Sequence, residues 1–173
     1  DGNEVASGST VGTVTTENED SYAGVEVDDG SSVTINGDVN AKENTGAGVA
    51  VFGEGSSASV SGNVSSVNED GVHVESGSVT VGGNVSSENG DGVYAEGGSV
   101  TVDKNVSGNE EGVSAVDGAT VSVGGNVNAS SDTATGIYAE DATVTVKGDV
   151  TSNDTGILAG AGAYDEDYKT TVD

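Results

Sequence analysis

The sequence predicts an all-β fold, a single-stranded parallel β-helix (β-solenoid) of about seven coils of ~21 residues with three short strands each. Three observations carry that prediction. One phrase recurs from end to end, its apolar residues alternate with polar ones, and nearly all of them are Val, Ile or Ala.

The clearest copy is Val79-Thr80-Val81-Gly82-Gly83-Asn84-Val85, an acidic stretch, then Gly92-Val93-Tyr94-Ala95-Glu96. Further copies begin at Val33, Ala58, Val100, Val121 and Val144, and a degenerate first copy holds Val11, Val14 and Val25-Glu26-Val27. The valine before each acidic stretch falls at 39, 64, 85, 106, 127 and 150, giving steps of 25, 21, 21, 21 and 23 residues. Length varies only in polar stretches such as 42–45, 53–57 and 130–135, where loops tolerate it. Spacing by two is strand periodicity, and no segment holds a 3.6-residue pattern. A unit this short cannot bury its own face. Stacking solves this, because each strand then pairs with its equivalent one coil away, at ~4.8 Å.

The first strand of each coil sends two rows inward: Val33, Ala58, Val79, Val100, Val121, Val144 and Ile35, Val60, Val81, Val102, Val123, Val146. Between them, Thr34, Ser59, Thr80, Thr101, Ser122 and Thr145 face out, beside a second hydroxyl row, Ser32, Ser57, Ser78, Ser99, Thr120 and Thr143. At the next corner, Gly37, Gly62, Gly83, Gly125 and Gly148 are expected to adopt positive φ, with Lys104 a strained exception. Asp38, Asn63, Asn84, Asn105, Asn126 and Asp149 follow, and stacked side chains of this kind cap backbone groups. The second strand buries Val39, Val64, Val85, Val106, Val127 and Val150, then smaller Ala41, Ser66, Ser87 and Ala129. The third buries Val49, Val72, Val93, Val113, Ile137, Ile157 and Val51, Val74, Ala95, Ala115, Ala139, Ala159. A narrow bore requires such residues, since larger ones overpack it.

Composition narrows the function. Thirty acidic residues against four lysines and no arginine give a net charge of −26, which excludes a nucleic-acid binder held by phosphate contacts. Without Cys there is no disulfide framework or thiol chemistry. Low hydrophobicity with high charge is also a signature of disorder, and the repeat overrides it. No run of 18 apolar residues predicts membrane insertion and no leader-like segment is seen. Starting at Asp1, the chain reads as a processed product or an excised segment. Its organisation reads as a degenerate N-terminal coil or edge (1–23), solenoid repeats (24–159) and a Gly/Ala linker with a strand-like tail (160–173).

The phrase Gly92-Val93-Tyr94-Ala95-Glu96-Gly97-Gly98-Ser99-Val100-Thr101-Val102 resembles the repeats of right-handed parallel β-helix passengers in bacterial surface proteins, the autotransporter and filamentous-haemagglutinin-type adhesins. The resemblance covers about residues 24–159. It implies right-handed coiling and an extracellular, structural role.

Catalysis is not expected. Polysaccharide lyases of similar architecture use Lys or Arg bases, whereas here arginine is absent and Lys42, Lys104, Lys147 and Lys169 are scattered. His73, the only histidine, sits between inward Val72 and Val74, so it points outward as a surface residue. The acidic turns place Glu69 and Asp70, Glu88 and Asp91, and Glu110 and Glu111 on successive coils, a possible weak Ca²⁺ site, with solvated charge as the plainer reading. A second acidic row is Asp28, Glu75, Glu96 and Glu140. The hydroxyl rows resemble the face of ice-binding solenoids, and outward Tyr94, Tyr138 and Leu158 suggest a glycan contact. Sequons at Asn63, Asn84, Asn105, Asn128 and Asn153 recur with the repeat, which favours a structural origin. In the tail, Tyr164, Tyr168, Thr170 and Val172 are the candidates for end-to-end assembly, by folding over the last coil, starting another, or adding to a neighbouring subunit. The expected function is an extracellular stalk, adhesin segment or self-assembling filament subunit without cofactor, the alternative a module that binds ice, glycan or Ca²⁺.

Overall fold

The computed structural model describes residues 6–17, 21–42, 46–160 and 171–172. They form three parallel sheets of eight, seven and seven strands and no helix. Sheet order follows coil order, so every strand bonds to its equivalent one coil before and one coil after. The predicted β-solenoid of about seven coils is therefore the fold of this chain.

The first coil already supplies a strand to two sheets, since Ser9–Val11 pairs with Ser32–Ile35 and Val14–Thr16 with Val39–Ala41. At the far end Thr171–Val172 pairs in parallel with Thr143 and Val144, opening an eighth turn of the first sheet. Tyr164, Tyr168 and Thr170 lie outside the described residues.

The bore is one continuous cluster running from Val27 to Val144, with Ile35 and Ile137 its largest fully buried side chains. Every inward row behaves as predicted until the last coil. There Ile157 is 49% exposed and Ala159 is exposed too, because no described residue stacks over them.

The corner glycines need a correction. None of Gly37, Gly62, Gly83, Gly125 and Gly148 has positive φ, and neither does Lys104. The left-handed residues sit at the other corner, between the third strand and the next first strand: Asp29, Ser76, Asp117 and Asp141 with Gly30, Gly53, Gly77, Gly98 and Gly118. The glycine at the first corner answers to close stacking instead. A Cβ on Gly62 would lie 2.3 Å from Asp38 Oδ1 and 2.6 Å from the Gly37 carbonyl, and one on Gly125 2.4 Å from Asn105 Oδ1.

A further glycine column opens the third strand. A Cβ on Gly71, Gly92 or Gly112 would meet a valine Cγ1 of the next coil's second sheet at 2.6, 2.4 and 2.3 Å, and the following coil's glycine carbonyl at 2.7, 2.6 and 2.6 Å. These glycines set how closely two sheets meet.

Candidate functional site

The bore is filled, so chemistry is confined to the outside. On the third sheet, outward Glu26, Ala50, His73, Tyr94, Ser114, Tyr138 and Leu158 fall in register. Small Ala50 leaves room on that face. Phe52 packs over it, with Ala23 and Ala47 completing a small apolar cluster separate from the bore.

Four rings then line up across the coils. Tyr22 and Phe52 lie 5.7 Å apart, Phe52 and His73 5.9 Å, and His73 stacks on Tyr94 at 4.8 Å with 22° between planes. These spacings lie near the coil rise, which is what lets side chains of consecutive coils stack. Neither Tyr22 nor Phe52 shares the register position of His73, so repeat alignment alone conceals the series.

Carboxylates frame the rings. His73 Nδ1 lies 2.9 Å from Asp70 Oδ2 and Nε2 3.4 Å from Glu75 Oε1. Burial lowers the affinity of that imidazole for a proton, and the hydrogen bonds and charges of Asp70 and Glu75 outweigh it, so the pKa is raised. His73 is outward as predicted, but it is held on both edges rather than solitary. Tyr94 donates to Glu96 at 3.2 Å and Tyr138 to Glu140 at 2.5 Å. Burial, with Glu96 beside it, pushes Tyr94 up to about 12. The second acidic row is thus paired with a ring two residues back in three coils.

Two recesses open beside the rings. One, of about 250 Å³, has a floor of Gly46, Ala47 and Ala50 and walls of Tyr22, His73, Glu69 and Asp70. The other is lined by Asp28, Asp29, Gly30, Phe52, Gly53 and Glu54. Among the described residues, no lysine lines either.

Of the acidic residues singled out in the turns, Asp91, Glu110 and Glu111 converge, with one oxygen from each within 4.8 Å of the others. Glu88 is exposed outside that group, and Glu69 and Asp70 belong to the ring face. Asp70 Oδ1 accepts the backbone N–H of Asp91 at 3.0 Å, and Asp91 Oδ1 that of Glu111 at 2.9 Å. These aspartates cap the backbone of the next coil. Asp91 is 7% exposed; burial, a hydrogen bond with the Glu111 side chain and the charge of Asp70 push it up to about 9.

The predicted Asn and Asp corner ladder forms as well. Asn63, Asn84 and Asn105 each donate Nδ2 to the Oδ1 one coil before, at 3.1 Å, so that with Asn153 four of the five sequon amides are engaged in the fold. Asn153 Nδ2 donates to the Ser130 carbonyl at 2.8 Å. The hydroxyl rows of the first sheet stand in register across the coils, as in Thr80, Thr101, Ser122 and Thr145.

Residues 3–167 match the family described as Periplasmic copper-binding protein (NosD). No curated protein and no solved structure matches the chain. Likeness to adhesin passengers thus holds at the level of parallel β-helix repeats.

Copper sites are built from thiolate, thioether and imidazole, with carboxylate joining imidazole for the oxidised ion. This chain has no Cys, no Met and one His, and both nitrogens of that His already face carboxylates on opposite edges of the ring. The converging acidic group offers oxygen alone. The donor set does not fit a copper centre. With 3–167 of its 173 residues matched, the chain belongs to the NosD family of parallel β-helix proteins.

Proposed function

We propose that the protein is a structural β-solenoid of the periplasmic or extracellular space, a stiff rod that binds a ligand on the outer face of its third sheet without transforming it. The observation that carries this reading is the ring series Tyr22, Phe52, His73 and Tyr94, spaced 5.7, 5.9 and 4.8 Å over recesses framed by carboxylates. Three of the six Tyr and Phe residues and the single His of this chain gather there, partly open to solvent beside an apolar floor, as ligand sites are built. The family's description as periplasmic supports a periplasmic setting, and a charge of −26 supports life in free solution rather than against an acidic polymer.

A second reading, an end-to-end filament or surface stalk, is favoured by the half-exposed Ile157 and Leu158 on the last full coil and by the eighth turn begun at Thr171–Val172. Such contacts are heterologous and do not close.

Titration calorimetry with neutral oligosaccharides, small organic cations and Ca²⁺, on the parent chain and on the Tyr22→Ala, Tyr94→Ala double variant, tests the first reading. One class is expected to bind saturably and at least tenfold more weakly to the variant. Equal binding by the variant, or no binding by any class while electron micrographs show rods lengthening with concentration, overturns it.

A further inference from the structure

We propose that the recess between Tyr22 and His73 binds a small organic cation, a molecule carrying an alkylated ammonium group, seated over Gly46 and Ala47 with its charge between the Tyr22 ring and the Glu69 and Asp70 carboxylates. The inference rests on the third sheet's outer face being a binding surface, and it names what that surface takes.

Three features of the recess select this ligand. Its floor is Gly46, Ala47 and Ala50, part of the small apolar cluster under Phe52, so the floor carries no polar or charged side chain. A hydrated metal ion gains nothing from such a floor, whereas an alkylated ammonium buries its methyl groups there. The wall contributed by Tyr22 is an electron-rich ring that is 59% exposed and thus available to a guest, and cations are drawn to such a face. The rim is anionic. Glu69 and Asp70 line it and no lysine does, on a chain of net charge −26.

The same inventory disfavours other guests. Among the described side chains, an anion meets two carboxylates, and the His73 nitrogens face Asp70 and Glu75. A neutral sugar finds acceptors in Glu69 and Asp70 but few donors for its own oxygens. A volume of about 250 Å³ holds a group of a few heavy atoms rather than a polymer segment. The neighbouring recess, with Asp28, Asp29 and Glu54 around Phe52, continues the anionic, aromatic character and draws cations toward the strip.

The test is NMR titration of the folded chain with choline and with 3,3-dimethylbutan-1-ol, its uncharged counterpart of the same shape, at physiological salt. Saturable shifts of the Tyr22 and His73 ring protons are expected with choline, and binding at least tenfold weaker with the alcohol. Tyr22→Ala is expected to weaken choline about tenfold, and Glu69→Gln, which alters an exposed residue and keeps the fold, at least threefold. Equal affinity for the alcohol, or choline affinity unchanged in both variants, overturns the proposal. If choline leaves the rings unmoved while an oligosaccharide or Ca²⁺ moves them, the cation proposal fails and the binding face stands. If no class moves them, both fail.

Discussion

Asn63 Oδ1 accepts two hydrogen bonds from Asn84 one coil later, from its backbone N–H at 2.9 Å and from its Nδ2 at 3.1 Å. The pattern passes up the rod, from Asp38 to Asn63 and from Asn84 to Asn105. Each side chain therefore satisfies a corner N–H that a neighbouring strand does not reach. The backbone bond in this series is longest, 3.2 Å, at Asn105, the step where Lys104 replaces the corner glycine. Asn84→Ala removes the acceptor and leaves the Asn105 N–H without it, so a loss of about 2 kcal/mol in unfolding free energy is expected in urea titrations. Asn128→Ala, on an exposed strand position, is expected to stay within about 0.5 kcal/mol of the parent.

Glycine at the start of the third strand answers to contact between sheets. Gly92→Ala places a methyl 2.4 Å from Val106 Cγ1 and 2.6 Å from the Gly112 carbonyl, and a destabilisation of about 2–3 kcal/mol is expected from this overpacking. Gly156, in the same column, has no described residue within 4 Å of its Cβ position. Alanine there is expected to be neutral or slightly stabilising. Equal losses at both sites, measured by thermal melting, would show that backbone conformation rather than packing keeps the column.

Besides the two tyrosines paired with glutamates, two groups bind their protons more tightly when folded. Asp91 is raised from 3.8 to about 9 by burial, the Glu111 hydrogen bond and Asp70, and His73 is raised above 6.5 against the opposing effect of burial. For a raised pKa the stabilising contribution is complete below the unfolded value and lost as pH climbs through the folded one. Stability is therefore expected to fall as pH rises from 4 toward 9, and Asp91→Asn to flatten that decline, matching the parent at pH 4 and exceeding it at pH 9. Melting curves of both chains across this range check it; a parent chain most stable at pH 9 would contradict it.

Copper makes a sharp test of how far the family description extends to this chain. With no thiol, no thioether and one imidazole already paired, the protein is expected to withdraw no copper(I) from a chromogenic chelator. Copper-free and copper-treated samples are expected to melt at the same temperature.

The bore was legible because a coil repeats its chemistry: Val79, Val100 and Val121 are the same residue in the same environment, and spacing by two assigns their direction. The Asn corner was legible for the same reason. Two features were not. Left-handed φ at Asp29, Ser76, Asp117 and Asp141 falls on short polar residues, three of them followed by glycine, which tolerate that conformation without requiring it, while the conspicuous corner glycines answer to steric closeness between coils, which exists only once coils are stacked. The ring series was hidden because its members break the repeat. Phe52 stands two positions beyond the outward column and Tyr22 precedes its strand, and they meet His73 only by reaching across the gap left by Ala50. The acidic turns read as solvated charge or cation ligands, and part of that charge, at Asp70 and Asp91, caps the next coil's backbone instead.

The central claim is that ligand binding belongs to the side of the rod, at the third sheet, and its most direct test is the footprint of a bound ligand in the NMR spectrum. Shifts confined to Tyr22, Phe52, His73, Tyr94 and the residues around them are the predicted result. Shifts confined to the first-sheet hydroxyl rows or to the last coil around Ile157 and Leu158, with the four rings unmoved, would contradict it.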